Sequence, residues 1–474
     1  MMSEPKRLHP TVILFNLMKV MKEFLFFLIP GFVVFSGKAL LYYLFILLGC
    51  IIVFIGFITI SWYRYTYQVK EDELRIEYGV FVRNKRYISK HRIQSIDLTQ
   101  SVLHRMLDIV KVEIQTAGSG EGAEASIQAV TREEGDRLRN ELKRVESVVQ
   151  SEDDVPSRPF AKITNKRLFI AGTTSGSVGA ILAIMAFMFS KLEQMIPAHV
   201  IDYTVEWMMR TSMVLISGFA LILFIVSWIL GIVRTIIKYG NFTITKDDGE
   251  LLITRGLLEK RQLTIPLRRI QAIGMKESMI RQPLGYITVF AEVAGSTSEQ
   301  GKDYSTILFP IMKKCEVEPF LQQFVPSHAR VEDKSLTKLP RRARKYYLLR
   351  SMAPTLVVAV GLTYMIPSLL WLSILLLAAS MYVGYLQHKD GGYQLTGERI
   401  TIQYRTLSKV TMRIHRKRIQ AFELKQHKIH MMERLATVKL SIIGILGVGN
   451  HFKLKELEKD DARHLAHWYS FRTS

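Results

Sequence analysis

Arg92-Ile93-Gln94, Arg269-Ile270-Gln271 and Arg418-Ile419-Gln420 are one tripeptide written three times in a chain of 474 residues. The match continues in register on both sides. Fourteen residues before each isoleucine stand Gly79, Gly256 and Arg405, closing the runs 73–78, 250–254 and 399–404. Twenty-three residues after each isoleucine come Thr116, Val293 and Ile442, ending runs that contain Val112, Val289 and Val438. Three copies in one register identify an internal repeat. Leu74/Ile76, Ile400/Ile402 and Val112/Ile114 alternate with polar residues at period two, the pattern of half-buried antiparallel strands. Each copy then closes on helical spacing. Leu138, Leu142, Val145 and Val149 follow a capping box at Thr131 and Glu134; Val317, Phe320, Leu321 and Phe324, then Ala462, Leu465, Ala466 and Tyr469, repeat the pattern. Strands followed by one amphipathic helix predict a small barrel, or a strongly bent sheet, plugged at one end by that helix.

Outward from the repeats the chain turns apolar. Residues 39–63, 168–190 and 211–233 carry no formal charge over 25, 23 and 23 positions. Each run is long enough to cross about 30 Å of hydrocarbon at about 1.5 Å per residue. Residues 351–388 are uncharged over 38 positions, too many for one span, and Pro367 divides them into a tight helical hairpin. The stretch 24–37 is shorter, with Lys19, Lys22 and Glu23 just before it. The composition agrees: 64 Lys plus Arg against 42 Asp plus Glu leave +22, while 49% of residues are hydrophobic. That pairing excludes a purely soluble protein. Cys50 and Cys315 form no CxxC and no disulfide framework. No A-x-A-like site closes the first apolar stretch, so an uncleaved N-terminus is expected.

Flanking cations set the expected orientation. Arg64, Arg158, Lys166, Arg167, Arg234, Lys238, Arg341, Arg342, Arg344, Lys345 and Lys389 lie on the side of the long segments, whereas the loop between the second pair of spans carries Glu193, Asp202 and Glu206. Both termini and every long segment are expected in the cytoplasm of a multi-pass plasma-membrane protein. The domain plan is residues 1–63 as N-terminal segment and hairpin, 64–150 as soluble domain, 151–237 as linker and hairpin, 238–326 as domain, 327–388 as linker and hairpin, and 389–474 as domain.

The layout of Arg-Ile-Gln in each copy, the stretch Gln100 to Leu107, residues 165–175 before the second hairpin and residues 339–344 before the third resembles the bacterial membrane proteins with pleckstrin-homology-like (PH-like) domains of the second bacterial type, in their triple-domain, YdbT-like form. The resemblance covers nearly the whole chain. It implies three seven-stranded, partly open PH-like barrels, each capped by a C-terminal helix, an α+β fold set beside membrane helical hairpins. It also implies the bacterial plasma membrane and a single-domain PH-like companion, but no catalytic residues and no settled ligand. The third copy departs from the pattern at Arg405, where the others have glycine, and at Glu433, where they have Leu107 and Leu284.

No P-loop, G-x-S-x-G, HExxH or CxxC is present. Residues 118–122 and 444–449 are Gly-rich but sit where hairpin loops fall, not at the opening of a helix. Seven of the twelve histidines lie from His388 onward, among them His427/His430 and His464/His467 at a spacing able to bind Zn²⁺. They lack acidic or thiol ligands at matching spacing, so neither metal nor cofactor is expected. The spans within 39–63, 168–190, 211–233 and 351–388 contain no formal charge, which gives a transporter or lipid-translocating path little support. Small residues Gly172, Ser175, Gly176, Ser177, Gly179 and Ala180 predict a close helix contact.

What remains is a basic surface. Lys90, Arg268, Arg416 and Lys417 surround the tripeptides, so two roles stand side by side for Arg92, Ile93, Gln94, Arg269, Ile270, Gln271, Arg418, Ile419 and Gln420. One is a structural turn of the barrel. The other is proximity to anionic lipid head groups, where each cation adds on the order of 1 kcal/mol. Nucleic acid is not an expected partner, since neither a base-reading motif nor an aromatic stacking platform is present. The expectation is a non-enzymatic scaffold or lipid-proximal sensing surface in envelope maintenance or stress defence, with self-association allowed; the alternative is transport.

Overall fold

The computed structural model of the chain describes residues 4–34, 37–70, 72–116, 125–143, 159–176, 213–294, 305–329, 335–365, 367–442 and 450–470. The first repeat runs β1 (Lys6–Arg7), α1 (Thr11–Val34), α2 (Gly37–Arg64), β2 (Thr66–Val69), β3 (Glu73–Tyr78), β4 (Asn84–Ser89), β5 (Ile93–Gln100), α3 (Val102–Met106), β6 (Ile109–Thr116), β7 (Ala125–Thr131) and α4 (Arg132–Lys143). The second runs β8 (Phe160–Lys162), α5 (Asn165–Thr173), α6 (Met213–Tyr239), β9 (Thr243–Asp247), β10 (Glu250–Arg255), β11 (Lys260–Pro266), β12 (Ile270–Glu277), β13 (Tyr286–Val293), β14 (Ser305–Lys313) and α7 (Val317–Phe324). The third runs β15 (Thr337–Lys338), α8 (Arg344–Met365), α9 (Leu370–Asp390), β16 (Gly392–Thr396), β17 (Arg399–Arg405), β18 (Lys409–His415), β19 (Ile419–Lys425), α10 (Lys428–Met432), β20 (Leu435–Ile442), β21 (Asn450–Glu458) and α11 (Lys459–Ser470).

The strand before each apolar helical segment is hydrogen-bonded to the strand after it. Lys6 pairs with Tyr67, Phe160 with Thr245 and Thr337 with Tyr393, all antiparallel. Each hairpin therefore interrupts its barrel instead of preceding it. The soluble portions begin earlier than residues 64, 238 and 389, because two or three residues upstream of the helices supply the first strand.

Among the described residues four helices are long and apolar enough to cross a membrane: Gly37–Arg64, Leu221–Tyr239, Arg341–Met365 and Pro367–Asp390. The break expected at Pro367 is a single 3-10 turn, Pro367–Leu369, between α8 and α9. Hydroxyls stitch this pair along its length. Ser351 Oγ donates to Ser380 O (2.6 Å), and Thr363 and Ser373 share a hydroxyl contact at 2.9 Å. Helix α1 carries Lys19, Lys22 and Glu23 and is not one of the four. Of the expected span 168–190, α5 accounts for the start and residues from 177 lie outside the described set, as do the Gly-rich stretches 118–122 and 444–449. Gly172 does permit a close approach: a Cβ there would sit 3.1 Å from Ile232 Cα in α6.

The chain divides into two compact units, Met1–Arg158 with Leu258–Thr264, and Pro159–Leu257 with Ile265–Ser474. In the first, Tyr67, Leu74, Ile76 and Ile88 close over Ile96, Ile109, Val112, Ile114 and Ile127, and α4 plugs the core with Leu138 and Leu142. In the second, α7 inserts Phe320 and Phe324 against Phe309 and Phe242, while α11 inserts Ala462 and Leu465 between Ile400, Met412, Val438 and Leu454. These are the helix-capped barrels that the repeat pattern predicts. Thr131 Oγ1 accepts from Glu134 N (3.4 Å), half of the capping box, and Glu134 spends its carboxylate on Lys6 at 2.7 Å.

Two turns recur. Asp108, Gly285 and Arg434 all take positive φ (48°, 68° and 52°), and their carbonyls accept from Arg132 N, Lys314 N and Lys459 N at 3.1, 3.0 and 2.9 Å. Each bond fixes the start of the segment that caps the barrel. Gly79 and Gly256 also take positive φ (115° and 102°), whereas Arg405 stays in β17 without one. A Cβ on Gly79 would lie 2.0 Å from Val82 O. Gly79→Ala is therefore expected to destabilise the first barrel by about 1–3 kcal/mol. A thermal melt of the purified protein unchanged by the substitution would contradict this.

Candidate functional site

The tripeptides build one local structure three times. A 3-10 turn (Lys90–Arg92, Leu267–Arg269 and Arg416–Arg418) leads into β5, β12 and β19, and the ladder slips between Ile93 and Ser95, Ile270 and Ala272, and Ile419 and Ala421. Gln94, Gln271 and Gln420 are thus the bulged residues. Ile270 and Ile419 are buried and Ile93 is half-buried. The Arg269 guanidinium donates to Ala294 O, Ala294 N returns a bond to Arg269 O (3.0 Å), and Gln271 Nε2 donates to the same carbonyl (3.1 Å). Arg418 Nη2 donates to Arg268 O at 2.7 Å; Arg92 ends its turn on an exposed face.

The β3–β4, β10–β11 and β17–β18 loops meet the helices. In the first repeat the β3–β4 loop is held to the end of α2, where the Arg64 guanidinium donates to Val80 O and Phe81 stacks on Phe57 with centroids 6.2 Å apart. In the second, Leu257 N donates to Ile237 O (3.0 Å) and Gly256 N to Gly240 O (2.8 Å) at the end of α6. In the third, Gln387 Nε2 donates to Thr406 O (3.0 Å), and Arg405, its side chain fully buried, pairs with Asp390 at 2.5 Å where α9 ends. The loop tips keep large apolar side chains in the open: Phe81 is 91% exposed, Val82 70% and Leu407 66%, with Leu258 also exposed.

A second anchor holds the other helix of each hairpin. His104 stacks on Phe15 of α1, with centroids 4.4 Å apart and planes 5° from parallel. At the aligned position Arg281 reaches the C-terminal end of α5, donating to Ala171 O (3.1 Å) and Thr174 Oγ1 (2.8 Å), and also to Thr288 Oγ1 (2.6 Å). His430 packs edge-on against Tyr346 of α8 at 5.1 Å. An imidazole, a guanidinium and an imidazole do the same job with different chemistry. The departure at Glu433 is explained by its ion pair with Lys345 of α8. His427 serves as an N-cap, its Nδ1 accepting from Ile429 N at 3.4 Å.

Between the third hairpin and its barrel this geometry leaves a cavity of about 680 Å³. Ser351 and Val383 line its helix side, Leu407 its rim, and Arg350, Lys453 and Lys455 supply cations beside the His451 ring. Arg350 is engaged by Glu456, a carboxylate only 1% exposed, and Tyr347 donates its hydroxyl to Lys455 O at 3.0 Å. Burial, with Arg350 and Lys453 close by, holds the Lys455 ammonium below its ordinary value. A cation pushed toward neutrality by its surroundings gains when an anion arrives.

A second cavity, about 310 Å³, opens beside the join of β12 to β18 and is lined by Lys314, Glu318, Arg399, Lys409 and Arg413. Arg413 forks onto Glu318 and also donates to His328 O (3.2 Å). His328 is buried, with Nδ1 2.9 Å from Ser327 Oγ. Burial first, then Arg399, His415, Arg418 and Arg413, push its pKa down to about 4.

A profile of the family described as Bacterial PH domain matches this chain three times, over residues 24–146, 194–324 and 353–473. The transmembrane protein YdbT of Bacillus subtilis is 32% identical over 494 residues, covering 99% of each chain. The transmembrane protein YdbS of the same organism is 35% identical over 89 residues, 19% of this chain and 52% of YdbS.

Two outcomes follow from the site geometry. Arg281→Met removes the cation that caps α5 and should cost about 2–4 kcal/mol, seen as faster amide exchange in residues 165–173; unchanged exchange there would contradict the anchor. His328 is neutral in the fold down to about pH 4, whereas an unfolded histidine titrates near 6.5. The unfolded chain therefore binds more protons between these values, so stability is full above about pH 6.5 and falls by up to about 3 kcal/mol toward pH 4. His328→Gln should flatten that part of the melting-temperature profile, and a profile of unchanged slope would refute the assignment.

Proposed function

Because the chain belongs to the Bacterial PH domain family, we propose that it is a multi-pass protein of the plasma membrane that holds three PH-like domains against the cytoplasmic leaflet as a non-catalytic scaffold and receptor for anionic phospholipid head groups. That it is a membrane protein with PH-like domains follows from its apolar helices, its three repeats and its likeness to YdbT. The cytoplasmic orientation rests on the cations at the barrel-side helix ends, among them Arg64, Lys238, Arg344, Lys345 and Lys389.

The observation that carries the lipid reading is the cavity of the third repeat. Its floor is the point where uncharged helix gives way to Arg350 and Gln387, the depth at which hydrocarbon ends, and its wall is the strand that carries Lys453 and Lys455. A phosphate at that depth counters the burial and the neighbouring cations that hold Lys455 below its usual value. The exposed tips Phe81, Val82 and Leu407, held beside helix ends, have interfacial lipid as their natural surroundings. On this reading the tripeptide cations are not the lipid contact: β5, β12 and β19 carry them about 20–25 Å from the helix end, at roughly 3.3 Å per residue.

The test uses the full-length protein purified in mixed nanodiscs of phosphatidylglycerol and phosphatidylcholine. Lys453→Gln/Lys455→Gln should lower retained phosphatidylglycerol relative to phosphatidylcholine by about thirtyfold, given on the order of 1 kcal/mol per cation, and rising salt should narrow the difference. An unchanged lipid ratio would refute the site.

A further inference from the structure

Successive repeats are joined edge to edge. Strand β12 pairs with β18 from Ala272↔Ile414 to Glu277↔Lys409, and β5 pairs with the start of β11 from Leu98↔Gln262 to Gln100↔Lys260. The register is the same in both joins: Gln100 and Glu277 are equivalent (277 − 100 = 177, the spacing of Ile93 and Ile270), as are Lys260 and Lys409 (409 − 260 = 149, the spacing of Ile270 and Ile419). One fixed rule therefore links the fifth strand of a repeat to the fourth strand of the next.

The rule leaves two ends unused. Among the described residues β19, the fifth strand of the third repeat, is the outer strand of the sheet β19-β20-β21, and β4, the fourth strand of the first, is the outer strand of β1-β2-β3-β4. We propose that β19 of one molecule pairs with β4 of a second copy of this chain. The observed register transfers directly. It sets Glu423 opposite Arg86 and Phe422 opposite Tyr87, an opposite-charge pair and an aromatic pair, both favourable across antiparallel strands. Tyr87 is 51% exposed, and Glu423 already attracts cations on that edge, Lys425 at 3.0 Å and Lys439 at 3.4 Å.

Direction selects this partner over a symmetric one. Strands β5, β12 and β19 end at the helix side, and β4, β11 and β18 begin there, so antiparallel pairing of a fifth with a fourth strand keeps the hairpins of both molecules on one side. Antiparallel pairing of β19 with β19 would send them to opposite sides, which a shared bilayer forbids. The contact is heterologous and forms a ring or an open row. It does not depend on lipid binding.

The experiment uses full-length chains with Cys50 and Cys315 replaced by serine, each then carrying either Arg86→Cys or Glu423→Cys, reconstituted together in phosphatidylglycerol–phosphatidylcholine vesicles and mildly oxidised. A disulfide-linked dimer is expected in the mixture and in neither protein alone. No cross-link between variants that melt like the parent, or a cross-link in Glu423→Cys alone, overturns the proposal. Charge reversal gives an independent reading by light scattering of the solubilised protein: Glu423→Arg should reduce self-association and Arg86→Glu/Glu423→Arg restore it. A protein that is a single chain before any substitution overturns the proposal as well.

Discussion

An antiparallel strand pair with an apolar helical segment inserted between its strands fixes where the chain leaves the barrel and where it returns. Neighbouring strands lie about 4.8 Å apart, less than the roughly 8–10 Å between packed helices, so the ladder Thr337↔Tyr393, Lys338↔Gly392 brings the barrel-side ends of α8 and α9 within packing reach. The same closure, Lys6↔Tyr67 and Phe160↔Thr245, operates in the other repeats. A barrel joined to the membrane by one linker tumbles; one threaded by its own hairpin keeps the same end toward the bilayer. The loop contacts at Val80, Leu257 and Thr406 and the anchors at His104, Arg281 and His430 then lock an orientation that the ladder has already chosen.

The third repeat has the most elaborate version of this junction. Where the other two use glycine at the turn, Arg405 drops the positive φ and uses its buried guanidinium to tie β17 to Asp390 and to Gln282 of the preceding repeat. Glu433 takes a position held elsewhere by leucine and binds Lys345. Both departures add ion pairs where the third hairpin meets its barrel, Arg405 with Asp390 and Glu433 with Lys345.

Much of this fold was legible in the residues. Period-two alternation and the threefold register located the strands, and uncharged length located α2, α6, α8 and α9. Three things were not legible. Lys6–Arg7 and Thr337–Lys338 are too short to show a period, so the first strand of each barrel was hidden ahead of the helices. The anchor position is His, Arg, His, a set that reads as merely polar because its shared property is reach toward a helix. The edge-to-edge joins leave no local mark, since Leu98–Gln100 looks the same whether its outer edge is paired or bare. The tripeptides, by contrast, were conspicuous because each stands at the same 3-10 turn and bulge of its repeat.

The proposed arrangement puts the helix end of each barrel at the bilayer and the tripeptide end in water. Site-directed spin labels on the reconstituted full-length protein report depth directly, through the balance of collisions with oxygen, which concentrates in lipid, and a water-soluble nickel chelate. Labels at Phe81 and Leu407 should favour oxygen, and labels at Arg268 and Lys417 should favour the chelate. Equal accessibility at all four positions, or the reverse order, would contradict the account.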